Sequence, residues 1–252
     1  MILLLLVALL ALLSWLREKT AIDPELSRKL AHILMGLVTL SFPWLFDDAQ
    51  PVIILACLSL LLITAIRFWS PLRSLLGKSI LCAQRFTLGE FFFPLGILSA
   101  FLLSDGDKLQ YLVAVLALTL ADPVAAFVGI SLARKRCLPQ PRKSIEGSLA
   151  FMLVSGLIAF LVLHLMAEMS LKDSLLIGLN FGVLLALIEA ASFWGVDNFS
   201  VPVGAIILLQ ALSGLSAMVL IVLPIAIGVV LQLLSALKRR MLNGVRSARL
   251  NG

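Results

Sequence analysis

Residues 109–133 form an apolar stretch of 25 residues that holds one charged side chain, Asp122, with Pro123 directly after it. A run of that length crosses a hydrocarbon core as a helix, and few folds are open to a chain that contains several. Further runs lie at 1–16, 31–46, 52–69, 88–104, 148–167, 174–191, 201–213 and 216–237. The weak alternating strands of about ten residues that mark a barrel are not visible. The sequence therefore predicts an all-α polytopic membrane helix bundle of about seven to nine transmembrane helices. Nine results when 201–237 is divided at Ser213-Gly214-Leu215-Ser216, because one helix over that run would be roughly 55 Å long. A hydrophobic fraction of 61% against 13% charged excludes an ordinary soluble domain. No repeat or linker interrupts the pattern, so 1–252 reads as a single transmembrane domain.

Charge orients the bundle. Of the 20 Lys and Arg residues, 18 fall in 17–29, 67–85, 134–143 and the tail after 237. Only Lys108 and Lys172 lie on the other side, which makes the four basic segments cytoplasmic. The first run carries its positive charges after it, at Arg17 and Lys19, so it reads as a retained span with its N-terminus outside. The net charge of +6 is then loop basicity facing anionic headgroups, not a nucleic-acid surface. Cys57, Cys82 and Cys137 have neither CxxC spacing nor a histidine at ligand spacing. With no transit peptide evident, a bacterial inner membrane is the expected location.

The informative residues are polar ones inside or beside apolar runs. Asp122 is about eleven residues, hence ~17 Å, from the end of its span at Ala133. Intramembrane carboxylates are expensive and mark functional sites. Pro123 removes a helical bond to Thr119, which predicts a kink or break there. Ala121, Ala125, Gly129 and Ala133 recur at every fourth position, and plain helix packing explains them without explaining the aspartate. Arg28, His32 and Gly36 share a helix face at i, i+4, i+8, where a topogenic flank and a functional face both fit. Glu90, three residues after Thr87, reads equally as a capping box or as a site carboxylate.

Ser144 is placed to cap the next helix. Arg142 and Lys143, with the free N–H groups at that helix start, suit phosphate oxygens. Glu189 lies near the cytoplasmic end of its span, and Asp197-Asn198 falls in the loop Ser192–Ser200, which has no basic residue. An acidic loop opposite basic ones suits Mg²⁺, which takes oxygen ligands.

These motifs resemble the membrane lipid kinases that include dolichol kinase, phytol kinase and the yeast-type CTP-dependent diacylglycerol kinase. The matching pieces are Arg28-Lys29 with His32, Gly89-Glu90 with Phe93-Pro94, and Asp122 with Ala125, Ala126 and Gly129. Lys143-Ser144-Ile145-Glu146-Gly147-Ser148 follows, and then Glu189 with Asp197-Asn198 and Pro202. They span a catalytic core of about 28–202 in a family order. Two departures bear on nucleotide preference: Ala121 stands where the family usually has glycine, and no glycine lies near Leu132-Ala133.

The resemblance implies transfer of the γ-phosphoryl group of CTP, or of ATP, to the hydroxyl of a long-chain alcohol at the cytoplasmic face. Phytol, polyprenol, dolichol and diacylglycerol are all open as acceptors. On that reading Asp122, Glu189 and Asp197 hold Mg²⁺, with Glu146 a further ligand, while Lys143, Arg28 and Lys29 neutralise developing charge. His32, Arg142, Ser144 and Gly147 join the phosphate site, Glu90 and Asn198 support it, and Asp122 accepts the hydroxyl proton. A more distant likeness is to phosphatidate cytidylyltransferases, which attack the α-phosphate. Their lysine before the second aspartate and later His-Gly-Gly are absent: Val196 precedes Asp197, and the histidines are His32 and His164. An ion-coupled transporter also fits an intramembrane aspartate beside a proline, but no inverted repeat is visible.

Overall fold

The computed structural model describes residues 1–20, 24–81, 87–132, 143–224 and 226–228. Among them the chain forms helices α1 (Ile2–Thr20), α2 (Pro24–Thr39), α3 (Phe42–Leu45), α4 (Ala49–Phe68), α5 (Ser70–Ile80) and α6 (Gly89–Leu103). It continues with α7 (Lys108–Leu116), a π-helical turn over Ala117–Ala121, α8 (Asp122–Leu132), α9 (Ile145–Leu165), α10 (Leu171–Ala191) and α11 (Asp197–Ser213). Among the described residues, four continuous helices are long and apolar enough to cross a membrane: Ala49–Phe68, Lys108–Leu132, Ile145–Leu165 and Leu171–Ala191.

The bundle is apolar outside and polar at selected points within, as expected where lipid is the solvent. Leu149, Leu153, Leu157, Leu161 and Leu165 form an exposed ridge at four-residue spacing on α9. On inward faces Ser155 and Asn180 are fully buried, and each donates to a backbone carbonyl. Ser155 donates to the Phe151 carbonyl at 2.7 Å, and Asn180 Nδ2 donates to the Leu220 carbonyl at 2.8 Å. Such bonds are needed in an interior without water.

Glycines set how closely the helices approach. A Cβ on Gly156 of α9 would lie 2.8 Å from the Gly178 carbonyl of α10, and one on Gly178 would lie 2.8 Å from the Gly156 carbonyl. The two backbones are therefore in direct contact, which side chains larger than hydrogen would prevent. Around them Tyr111, Phe151, Phe181, Leu185 and Ile206 fill the main core. A smaller cluster, with Leu10, Leu13, Ala31, Ile66 and Leu76, joins α1, α2, α4 and α5.

Three expectations are corrected. The predicted cytoplasmic loop 67–85 contains α5, started by Pro71 and held to α1 by Ser14, which donates to the Leu76 carbonyl at 3.0 Å. Of the kink or break expected at Pro123, the break is not found: α7 runs into α8 through the π turn, inside one continuous helix. Asp197 and Asn198 are not in a loop but open α11. Trp194 and Gly195, both at positive φ (53° and 89°), reverse the chain just before it, and an aspartate in the first turn suits the helix dipole. The division expected near Ser213–Ser216 is present: α11 ends at Ser213 and helix resumes at residue 217.

Candidate active site

Asp122 is placed by the π turn. A π turn shifts the helical register and redirects side chains and carbonyls around it, and such turns concentrate at functional sites. Here the redirected Leu118 carbonyl accepts a hydrogen bond from His32 Nε2 of α2 at 3.1 Å. The side chain of Asp122, buried with 9% of the residue exposed, forms an ion pair with Lys29, three residues before His32 on the same helix α2. Gly36 lets α2 lie this close, since a Cβ there would overlap the Thr119 side chain.

Lys143 supplies the second cation. Its Nζ lies 2.6 Å from Glu189 Oε1 and 3.7 Å from Asp197 Oδ2, and it also donates to the Glu189 backbone carbonyl. Next to it Ser144 caps α9 as expected, accepting from the Gly147 N–H at 3.0 Å. The small residues of α8 have their counterpart here: a Cβ on Gly147 would lie 2.8 Å from the Ala125 carbonyl, and one on Gly129 3.1 Å from Ser144 Oγ. This packing holds the carboxylate of α8 beside the cap of α9.

Asp122, Glu189 and Asp197, from three helices, each offer an oxygen within 4.8 Å of the others. At an effective dielectric of about 20, two like charges roughly 4 Å apart repel by about 4 kcal/mol. Lys29 and Lys143 offset part of that repulsion. An all-oxygen, net-anionic donor set of this size suits Mg²⁺, and these three residues would hold it. The carboxylates face a cavity of about 400 Å³ whose walls also include Arg28, Lys143, Ser144 and Gly147. Carboxylates, ammonium groups and a capped helix N-terminus on one cavity can bind a metal–polyphosphate.

Other candidates lie elsewhere. Glu146, in the first turn of α9, is neither in the carboxylate trio nor on the cavity wall. His32 points to Leu118 and packs edge-on against Phe93, with ring centroids 5.0 Å apart, away from that wall. Glu90 does not complete a capping box, since α6 begins with Leu88 as an N-cap without a side-chain bond. It forms an ion pair with Arg67 at the end of α4, a partner that sequence reading missed. Asn198 lines the cavity and also donates from Nδ2 to the Gly89 carbonyl at 2.8 Å, fastening α11 to α6. Arg142 lies outside the described residues.

A family model, that of the cytidylyltransferase family, matches the chain over residues 1–241. No curated protein and no solved structure matches it.

Proposed function

Because the chain belongs to the cytidylyltransferase family, we propose that it is a CTP-dependent membrane transferase, and specifically a kinase for a long-chain lipid alcohol. The observation that carries this reading is the trio Asp122, Glu189 and Asp197, with oxygens within 4.8 Å, Asp122 paired with Lys29 and the other two with Lys143, on one polar cavity. Helices α1, α2, α6 and α11 would complete a bundle of about seven to nine crossings, with this cavity on the cytoplasmic side of a bacterial inner membrane.

Phosphoryl transfer asks a protein for positioning and charge neutralisation more than for covalent chemistry. Lys143, Lys29 and Arg28 would hold phosphate oxygens, and Ser144 and Gly147 at the start of α9 line the same cavity. Mg²⁺ held by Asp122, Glu189 and Asp197 would supply charge neutralisation on the bridging and terminal phosphates. The acceptor hydroxyl oxygen bonds to the γ-phosphorus, and the bond from that phosphorus to the β–γ bridging oxygen breaks, leaving CDP. The hydroxyl proton passes to Asp122.

Cytidylyl transfer to phosphatidate is the second reading, favoured by the description of the matching family. It uses the same cavity but breaks the α–β bond and releases pyrophosphate. Purified protein with Mg²⁺, γ-labelled or α-labelled CTP, γ-labelled ATP and a panel of prenols, diacylglycerol and phosphatidate separates the two. Lipid bearing the γ label alone supports the kinase. An α label in lipid reassigns the chemistry, and no label in any lipid turns the question to transport.

A further inference from the structure

Every carboxylate of the trio is met by an ammonium group. Lys29 pairs with Asp122, and Lys143 lies 2.6 Å from Glu189 Oε1 and 3.7 Å from Asp197 Oδ2. The same three side chains offer the oxygens that converge within 4.8 Å. A divalent ion held by the trio and the two ammonium groups therefore draw on the same carboxylates. Three negative charges against two positive ones leave these five side chains with a single net negative charge. That is a weak attraction for a divalent ion, and two ammonium groups beside it repel it.

The lysines also face a second set of partners. Both line the polar cavity, with Arg28 and Ser144 beside them. A polyphosphate there brings several negative charges and further acceptor oxygens. An ammonium that turns to it keeps an anionic partner while it releases a carboxylate. Lysine suits such an exchange, because its ammonium is a point charge on a flexible stem. Lys143 stays tethered meanwhile, since it also donates to the Glu189 backbone carbonyl.

We infer that Lys29 and Lys143 are exchangeable counter-ions, which hold the carboxylates of the trio and pass to the phosphate oxygens of the nucleotide, so that nucleotide and divalent ion bind cooperatively. The inference deepens the proposed reading and rests on it for the polyphosphate. Competition between each lysine and the ion does not depend on which reaction follows. By linkage, removing an ammonium must strengthen binding of the ion.

The test is Mn²⁺ binding to the full-length protein in detergent, read by electron paramagnetic resonance without nucleotide. Lys29→Gln and Lys143→Gln each remove one charge and keep an N–H that donates to the carboxylate. Each is expected to tighten Mn²⁺ binding about tenfold or more. Lysines that only prop the carboxylates in place predict the opposite sign. In the parent, β,γ-methylene-CTP should tighten Mn²⁺ binding, once the ion held by free nucleotide is measured without protein and subtracted. The factor should be smaller in both variants. If a variant is unstable, Mn²⁺ should restore its unfolding temperature, the ion standing in for the lost ammonium. Weaker or unchanged Mn²⁺ binding in either folded variant, an unstable variant that Mn²⁺ does not restore, or an equal nucleotide effect in parent and variants overturns the inference. Tighter binding in the variants without γ-label transfer to any lipid leaves the exchange standing and rejects the kinase. Transfer of the γ label with Mn²⁺ binding weakened in both variants does the reverse.

Discussion

The ammonium of Lys143 lies 2.6 Å from Glu189 Oε1 and donates to the backbone carbonyl of the same residue. One side chain ahead of α9 thus holds both the acid of α10 and a carbonyl in its last turn, which also accepts from the Ser192 N–H at 3.1 Å. The cation is fixed in place before any phosphate arrives.

Lys143→Ala should therefore cost more than a surface lysine would. We expect turnover in the label-transfer assay to fall roughly 100- to 1000-fold, the range for loss of one preorganised charge-stabilising donor. Lys143→Arg should recover part of it, because guanidinium keeps the charge and binds phosphate. Equal activity of the alanine variant and the parent would remove Lys143 from the site.

Asp122→Asn keeps shape and removes charge. The expected outcome is no detectable turnover with a folded protein, read by label transfer and by thermal unfolding in detergent. Lys29 would lose its anionic partner, so a modest fall in unfolding temperature is consistent with the assignment. Normal activity would sink it.

These residues were legible in sequence for a physical reason. Asp122, Lys143, Glu189 and Asp197 interrupt or flank apolar runs, and a charge at membrane depth is hard to explain as scaffold. Their convergence was not legible, because it depends on the register of four helices. The π turn lies just before Pro123, and its Leu118 carbonyl is bound by His32, 86 residues away in the chain. The Arg67–Glu90 pair spans two helices, and Arg67 alone looks like any basic residue at a helix end. Helix α5 was missed because its charged and polar residues break the apolar run that identifies a span. Its buried face, Leu76, Gly77 and Ser79, acquires meaning only against α1.

Divalent-ion binding can be read without turnover. Mn²⁺ should raise the unfolding temperature, since an ion bound only by the folded state contributes about 2.7 kcal/mol at a hundred times its Kd. Asp197→Asn and Glu189→Gln should each reduce that gain, and the double variant should abolish it. An undiminished gain in the double variant would place the ion elsewhere.

Gly147→Ala tests the geometry that joins α8 to α9. The added methyl would sit 2.8 Å from the Ala125 carbonyl, a backbone atom that cannot swing aside. Overpacking of this kind costs about 1–3 kcal/mol. Displacement of Asp122 from Ser144 and Lys143 should lower turnover by up to about 100-fold, the effect of a misplacement near 1 Å. Gly106→Ala is the control. Gly106 has φ 82° with nothing within 4 Å of the added carbon, so some stability should be lost without loss of activity.

Arg67 and Glu90 test whether a buried charge outside the carboxylate trio is scaffold. The Glu90 side chain is only 6% exposed, and Arg67 donates to it and to the Thr87 carbonyl at 3.4 Å. Removing one partner of a buried pair costs about 3–5 kcal/mol, whereas replacing both is often close to neutral. Arg67→Met should therefore lower the unfolding temperature strongly, and adding Glu90→Gln should restore much of it. If the pair only fastens α4 to α6, the double variant should recover turnover together with stability. Glu90 also lines a cavity with Arg28, His32 and Asn198, so recovered stability with an altered preference among lipid alcohols would give this carboxylate a place at the acceptor hydroxyl. Additive losses of stability in the two single variants would instead show that the charges do not depend on each other.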